Sequence, residues 1–163
     1  MKLVATILVV LALAGCAAIP TSRSIHDGET QTDVRAKLGT PAAERKLASG
    51  DTAWYYVTGP SGFFTYRVVF GAGGSVTGYS QVLTRENFMA VPPGVSRDAV
   101  LDRLGPPIER MTFERTGTEV WTYRWLDGTF EMLADAVFDT HKGTLIDIVL
   151  YRDPIFESGV SPN

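Results

Sequence analysis

One pattern occurs twice in this chain, and it limits the possible folds more than any other feature. Gly28, Thr30, Val34, Leu38, Gly39 and Pro41 recur as Gly94, Ser96, Val100, Leu104, Gly105 and Pro107, each 66 positions later. Ile25 has its counterpart in Val91. Further on, Trp54-Tyr55-Tyr56 answers Trp121-Thr122-Tyr123, Phe70 answers Phe138, and Gly74-Ser75-Val76 answers Gly143-Thr144-Leu145. The offset there drifts to 67–69, as small loop insertions would cause. Self-similarity at a fixed period marks one supersecondary unit used more than once. The expected units span residues 25–83 and 84–153.

Each unit opens with a helix signal. Thr30 and Ser96 can accept a first-turn backbone N–H. Val34 with Leu38, and Val100 with Leu104, are i,i+4 pairs on one helical face. Leu101 widens the second of these faces, and Val95 is placed to staple against Val100. Gly39 and Gly105 can end the helix in a conformation with positive φ, and the prolines behind them stop its continuation. Strands follow. Residues 53–58 and 120–126 are rich in aromatic and β-branched side chains. Period two puts Trp54 and Tyr56 on one face, and Trp121, Tyr123 and Trp125 on another. Residues 63–70 and 129–138 form the next strands, with glycine turns after them, and residues 75–83 and 144–151 close the units. A helical turn over residues 84–90 leads into the second unit. The expected class is α+β: two tandem repeats, each a helix plus a three-stranded antiparallel sheet. Residues 154–163 lack periodicity and are expected to be a disordered tail.

Ahead of the first unit, Lys2 gives a positive start, and residues 3–13 are apolar except for one threonine. That run is too short to span a bilayer but suits the core of a signal peptide. Leu13-Ala14-Gly15-Cys16 then resembles the lipobox of bacterial lipoproteins: an aliphatic residue, two small ones and a cysteine. The resemblance implies removal of residues 1–15 and diacylation of the Cys16 thiol, with residues 16–24 as lipidated cysteine and tether. Cleavage there would leave 148 of 163 residues, enough for one ordinary domain or two small ones. Cys16 is the sole cysteine, so no intrachain disulfide can form. Eight extended tether residues reach at most roughly 28 Å, so the first unit stays near the lipid surface. Ala17, rather than Asp, beside the cysteine is compatible with export to the outer membrane.

The repeated motif, Gly-x-[Ser/Thr]-x-x-x-Val-x-x-x-Leu-Gly-x-Pro followed by a Trp-x-Tyr strand, resembles the BamE (SmpA/OmlA) family of small lipoproteins. It is also similar in layout to the tandem-repeat β-lactamase inhibitor proteins. BamE carries one such unit and this chain two. The BamE resemblance implies an outer-membrane lipoprotein on the periplasmic face that supports the barrel-assembly machinery by binding proteins, with contacts to anionic phospholipid headgroups. The inhibitor resemblance implies instead a clamp on an envelope or secreted enzyme, an inhibitor or immunity-like role.

No catalytic constellation is expected, and no cofactor or metal. His26 and His141 lack ligand spacing to another His, Cys or carboxylate pair. Gly71-Ala72-Gly73-Gly74 has no following Lys-Ser/Thr and reads as a hairpin turn rather than a phosphate loop. Glu114, Glu119, Asp127 and Glu131 read as a solvated edge. The net charge of −3 leaves no basic footprint for nucleic acid. It is unevenly spread: residues 17–83 carry six basic and five acidic side chains, residues 84–163 eight and thirteen. The first unit therefore tolerates anionic headgroups, through Arg23, Arg35, Lys37, Arg45 and Lys46. The second is expected to face away and receive a protein partner. Tyr55, Phe63 and Tyr79 lie opposite in phase to Trp54, Tyr66 or Val76 on their strands and are exposed if those are buried, though the phase does not say which face meets the helices. Trp125 reads as core packing or, alternatively, as part of an exposed face that grips a partner. Since Trp and Tyr are enriched at interface hot spots, these four are the candidate partner-binding residues.

Overall fold

A computed structural model describes residues 25–58 and 61–157. The expected signal peptide, Cys16 and its tether lie outside the described residues, as do the last six positions of the expected tail. The chain is α+β, with two four-stranded antiparallel sheets and few helices. The first half runs α1 (Gln31–Leu38), β1 (Ala43–Lys46), β2 (Thr52–Val57), β3 (Thr65–Phe70) and β4 (Val76–Gln81). The second adds a short helix α2 (Arg85–Met89) before α3 (Arg97–Leu104), β5 (Glu109–Phe113), β6 (Thr118–Asp127), β7 (Phe130–Asp139) and β8 (Leu145–Arg152). Strands follow chain order in both sheets, β1-β2-β3-β4 and β5-β6-β7-β8.

Three strands per sheet were expected, and there are four. The extra strands, β1 and β5, read Ala-Glu-Arg-Lys and Glu-Arg-Met-Thr-Phe. Both lie at a sheet edge, and β5 is exposed at every position, so no buried apolar alternation marks them. They are held by pairing to β2 and β6, with Ala43 opposite Tyr55 and Arg110 opposite Trp121. The expected disordered tail also begins with a helical turn, α4 (Pro154–Glu157). The buried Asp153 carboxylate accepts from the Ile155 N–H and so caps that turn.

The two halves repeat local chemistry closely. Thr30 and Ser96 cap α1 and α3, accepting from the backbone N–H of Asp33 and Ala99. Each helix ends at a glycine with positive φ, Gly39 at 79° and Gly105 at 78°. Gly28 and Gly94 donate to the carbonyls of Val76 and Leu145, tying each helix entry to the last strand of its own sheet. A register shift interrupts the ladder at Val69/Phe70 and again at Val137/Phe138.

Two aromatic cores result. In the first, Val34 of α1 packs with Ile25, Trp54, Tyr56, Val68, Phe70 and Val76. In the second, Val100 and Leu104 of α3 and Phe88 of α2 pack on Trp121, Tyr123, Trp125 and Phe138. Trp54 meets Phe70 at 4.7 Å between centroids, and Trp121 meets Phe138 at 4.6 Å. Helices of eight residues are marginal alone, so this packing is what holds them. Val82 and Leu83 belong to the second core although they precede the expected boundary at 83/84.

Candidate functional site

Each sheet has an inner face under its helix and an outer face, and the two outer faces are treated differently. On the first sheet, Tyr55 of β2 and Arg67 of β3 are directly opposite one another on the outer face. The end of α3 lands there. The Tyr55 hydroxyl donates to the Asp102 carbonyl at 2.7 Å, and Arg67 Nη1 donates to the same oxygen at 3.0 Å. Arg45 of β1 donates from Nη2 to the Asp98 carboxylate at 2.8 Å and from Nε to the Asp102 carboxylate. Tyr55 and Arg67 thus meet one of the last carbonyls, at the negative end of the helix dipole, while Arg45 pairs with acidic side chains along the helix. Burial alone would lower the Arg45 pKa, but its bonds to Asp102 and Asp98 together outweigh that and raise it. Burial pushes the Tyr55 phenol up to about 12, so it remains a donor at any physiological pH.

Close approach at this junction requires a glycine. A Cβ on Gly105 would sit 2.7 Å from Tyr55 Cδ1 and 3.1 Å from Thr65 Cγ2, while the same atom on Gly39 would meet nothing within 4 Å. The α1 end is open where the α3 end is buried.

On the second sheet no element of the described chain takes the corresponding place. Thr122 and Asp135 stand where Tyr55 and Arg67 stand in the first, and Met111 stands where Arg45 does. The Asp135 carboxylate accepts from Thr122 Oγ1 at 2.7 Å and from the Tyr151 hydroxyl at 2.8 Å. Burial and then that carboxylate raise the Tyr151 pKa, keeping its proton on the bond. Arg124 donates to the fully buried Asp153 carboxylate at 3.1 Å. Around these polar groups, Met111 and Phe113 on β5 and Val149 and Tyr151 on β8 are exposed, with Met111 and Val149 each at 47%. The surface is therefore apolar with a fixed acidic centre, bordered by Glu109 and Asp147.

The candidate partner-binding residues fare unequally. Tyr55 is fully buried by α3, which corrects its reading as an exposed side chain. Trp125 is 1% exposed, packed on Phe88 at 5.3 Å, and is core rather than surface. Tyr79 is half-buried and stacked on Tyr66 at 5.4 Å, so it faces inward with the first core instead of opposing it. Phe63 is half-buried just before β3. The structure does not bring these four together. Alternation told which residues share a face, and the arrival of α3 decided which face was covered. The exposed apolar residues of β5 and β8 had only a weak sequence signal: Met111, Phe113, Val149 and Tyr151 fall at alternate positions on strands framing a larger aromatic pattern.

The carboxylates read as a solvated edge are partly structural. Glu119 accepts from Arg97 at 2.7 Å and from the Trp121 indole at 2.6 Å, and Asp127 pairs with Arg85. Of the expected headgroup-facing cations, Arg35 pairs with Glu44, Lys37 with Glu29, and Arg45 with Asp98 and Asp102. Arg23 lies outside the described residues. Among the described residues, no group of three or more His, Cys, Asp or Glu side chains is placed to hold a metal ion, and no helix is long and apolar enough to cross a membrane.

No family model matches the chain, and no curated protein matches it. Among solved structures it is similar to a DUF4309 family protein (YjgB) from Bacillus subtilis subsp. subtilis str. 168, at 18% identity and a TM-score of 0.29, over 76% of this chain and 78% of that one. It is also similar to an extracellular protein containing a SCP domain from Bacillus anthracis str. Ames, at 14% identity and a TM-score of 0.33, over 96% of this chain and 56% of that one. Neither of these two is a BamE protein, and likeness at this level says nothing of partners or activity.

Proposed function

We propose that this chain is a lipid-anchored lipoprotein of the cell envelope that works by binding another protein and carries out no chemistry of its own. The observation that carries the reading is Cys16, the sole thiol, standing directly behind Leu13-Ala14-Gly15 and a short apolar run. Diacylation there, with each buried methylene contributing about 0.8 kcal/mol, would hold the chain at a membrane and raise its effective concentration for a partner. The outer membrane, on its periplasmic side, is the proposed place, and the units are proposed to be tandem BamE-like repeats. The partner surface is the outer face of the second sheet. Its exposed Met111, Phe113, Val149 and Tyr151 supply apolar area, and Asp135, Glu109 and Asp147 favour a partner with a basic face. Components of the barrel-assembly machinery are the first partners to test. Tight one-to-one capture of a single enzyme would favour the inhibitor-like reading.

The anchor is tested by growing cells with an alkyne-bearing fatty acid. The full-length chain should incorporate label and fractionate with membranes, and Cys16→Ala should do neither. Label-free, soluble wild-type protein would end this reading.

A further inference from the structure

The junction between the halves holds a cleft that the partner surface does not use. Its volume is about 390 Å³, within the range of small-molecule sites. Leu47 of the β1–β2 turn forms one wall, and Val91, Pro92 and Val95 of the segment joining α2 to α3 form another. Between these apolar walls stand two guanidinium groups, Arg67 and Arg103. Among the described residues, neither is in an ion pair with a carboxylate. Arg103 Nε donates to the Asn87 carbonyl at 3.1 Å, and Arg67 Nη1 to the Asp102 carbonyl. Arg67 Nε is buried and has no hydrogen-bond partner among the described residues.

A buried donor on a charged group is rarely left unused. Asp102 also lines the cleft, but its carboxylate is taken by Arg45. Three cations, Arg45, Arg67 and Arg103, thus meet two carboxylates, Asp98 and Asp102, and leave one positive charge uncompensated. A guanidinium between apolar walls selects a planar anion that carries hydrocarbon.

We propose that this cleft binds a small carboxylate bearing a branched apolar chain, with Arg67 as the carboxylate ligand. The carboxylate can belong to a free acid or to the last residue of a peptide, and the proposal is independent of the lipid anchor and of the outer-face partner. The test uses the full-length chain in lipid nanodiscs with labelled methyl groups. The probes are 4-methylpentanoate, N-acetyl-alanyl-leucine, and the neutral 4-methylpentanamide.

The expected result is saturating shifts at the methyls of Leu47, Val91 and Val95, with a Kd on the order of 1 mM for an eight-heavy-atom acid. The amide should bind at least about tenfold more weakly, because it cannot pair ionically with arginine. Tighter binding of the dipeptide assigns the site to peptide C-termini, and binding of the free acid alone assigns it to small acids. Arg67→Met should erase the preference for acid over amide. Because Arg67 also holds α3, Ala48→Trp is the second variant: it adds a ring to an exposed turn at the cleft and should abolish binding without moving Tm. Equal binding of acid and amide, no methyl shifts up to about 20 mM probe, or undiminished binding by Ala48→Trp would overturn the proposal.

Discussion

The two outer sheet faces begin from the same scaffold and end with opposite roles. On the first, Tyr55, Arg67 and Arg45 present donors and positive charge, and α3 settles on them through the Asp102 carbonyl and the Asp98 and Asp102 carboxylates. On the second, Thr122, Asp135 and Met111 occupy the matching positions. A carboxylate there would repel the carbonyls of an arriving helix end, so this face cannot take the same occupant. Three side chains therefore separate an intramolecular joint from an open surface. The glycine caps follow the same division, with Gly105 wedged against Tyr55 and Gly39 facing open space.

The glycines offer the sharpest way to break this comparison. Both have φ near 79° with strongly extended ψ, a region almost restricted to glycine. Gly39→Ala should cost about 1–3 kcal/mol from backbone strain alone. Gly105→Ala adds a collision with Tyr55 and should cost about 2 kcal/mol more, as overpacking typically does. Urea unfolding of both variants measures the difference, and equal losses would mean the junction is looser than described.

Next in size, Tyr55→Phe should cost about 1–1.5 kcal/mol through its lost bond to the Asp102 carbonyl. Thr122→Val, its counterpart on the open face, should change stability by less than about 0.5 kcal/mol. Similar losses in the two would erase the distinction between the faces.

Acid dependence gives a smaller effect, to which Glu119 of the second half contributes. Burial would raise the Glu119 pKa, but the bonds from Trp121 and Arg97 outweigh it, so the folded value lies below the ordinary 4.5. A depressed folded pKa contributes stability that is present above 4.5 and is lost as pH falls through the folded value. Glu119→Gln should therefore lose stability at neutral pH and show a shallower decline below pH 4.5, read from urea midpoints between pH 3 and 7. An unchanged acid slope would show that Glu119 is not the group responsible.

Much of this architecture was legible in the chain itself. The caps Thr30 and Ser96, the helix-ending glycines and the Trp-x-Tyr strands carry their own local physics, and they fall where their chemistry predicts. The edge strands β1 and β5 did not announce themselves, because their hydrogen bonds come from a neighbour and not from a buried face. Tyr55 was misread for a related reason. Its strand alternation says that it opposes Trp54, but what covers it is a helix that begins more than forty residues later. Trp125 needed no such partner: it continues the phase of Trp121 and Tyr123 and is buried with them in the second core.

The open face is tested most directly by photo-crosslinking in cells, with the reactive amino acid placed at Met111 or Val149 and, for contrast, at Tyr55 or Trp125 in the full-length chain. The expected result is a discrete protein adduct from positions 111 and 149, lost when Glu109 and Asp147 are both changed to lysine, and none from 55 or 125. Adducts from the buried pair, with none from β5 and β8, would contradict the assignment of the second outer face as the partner surface.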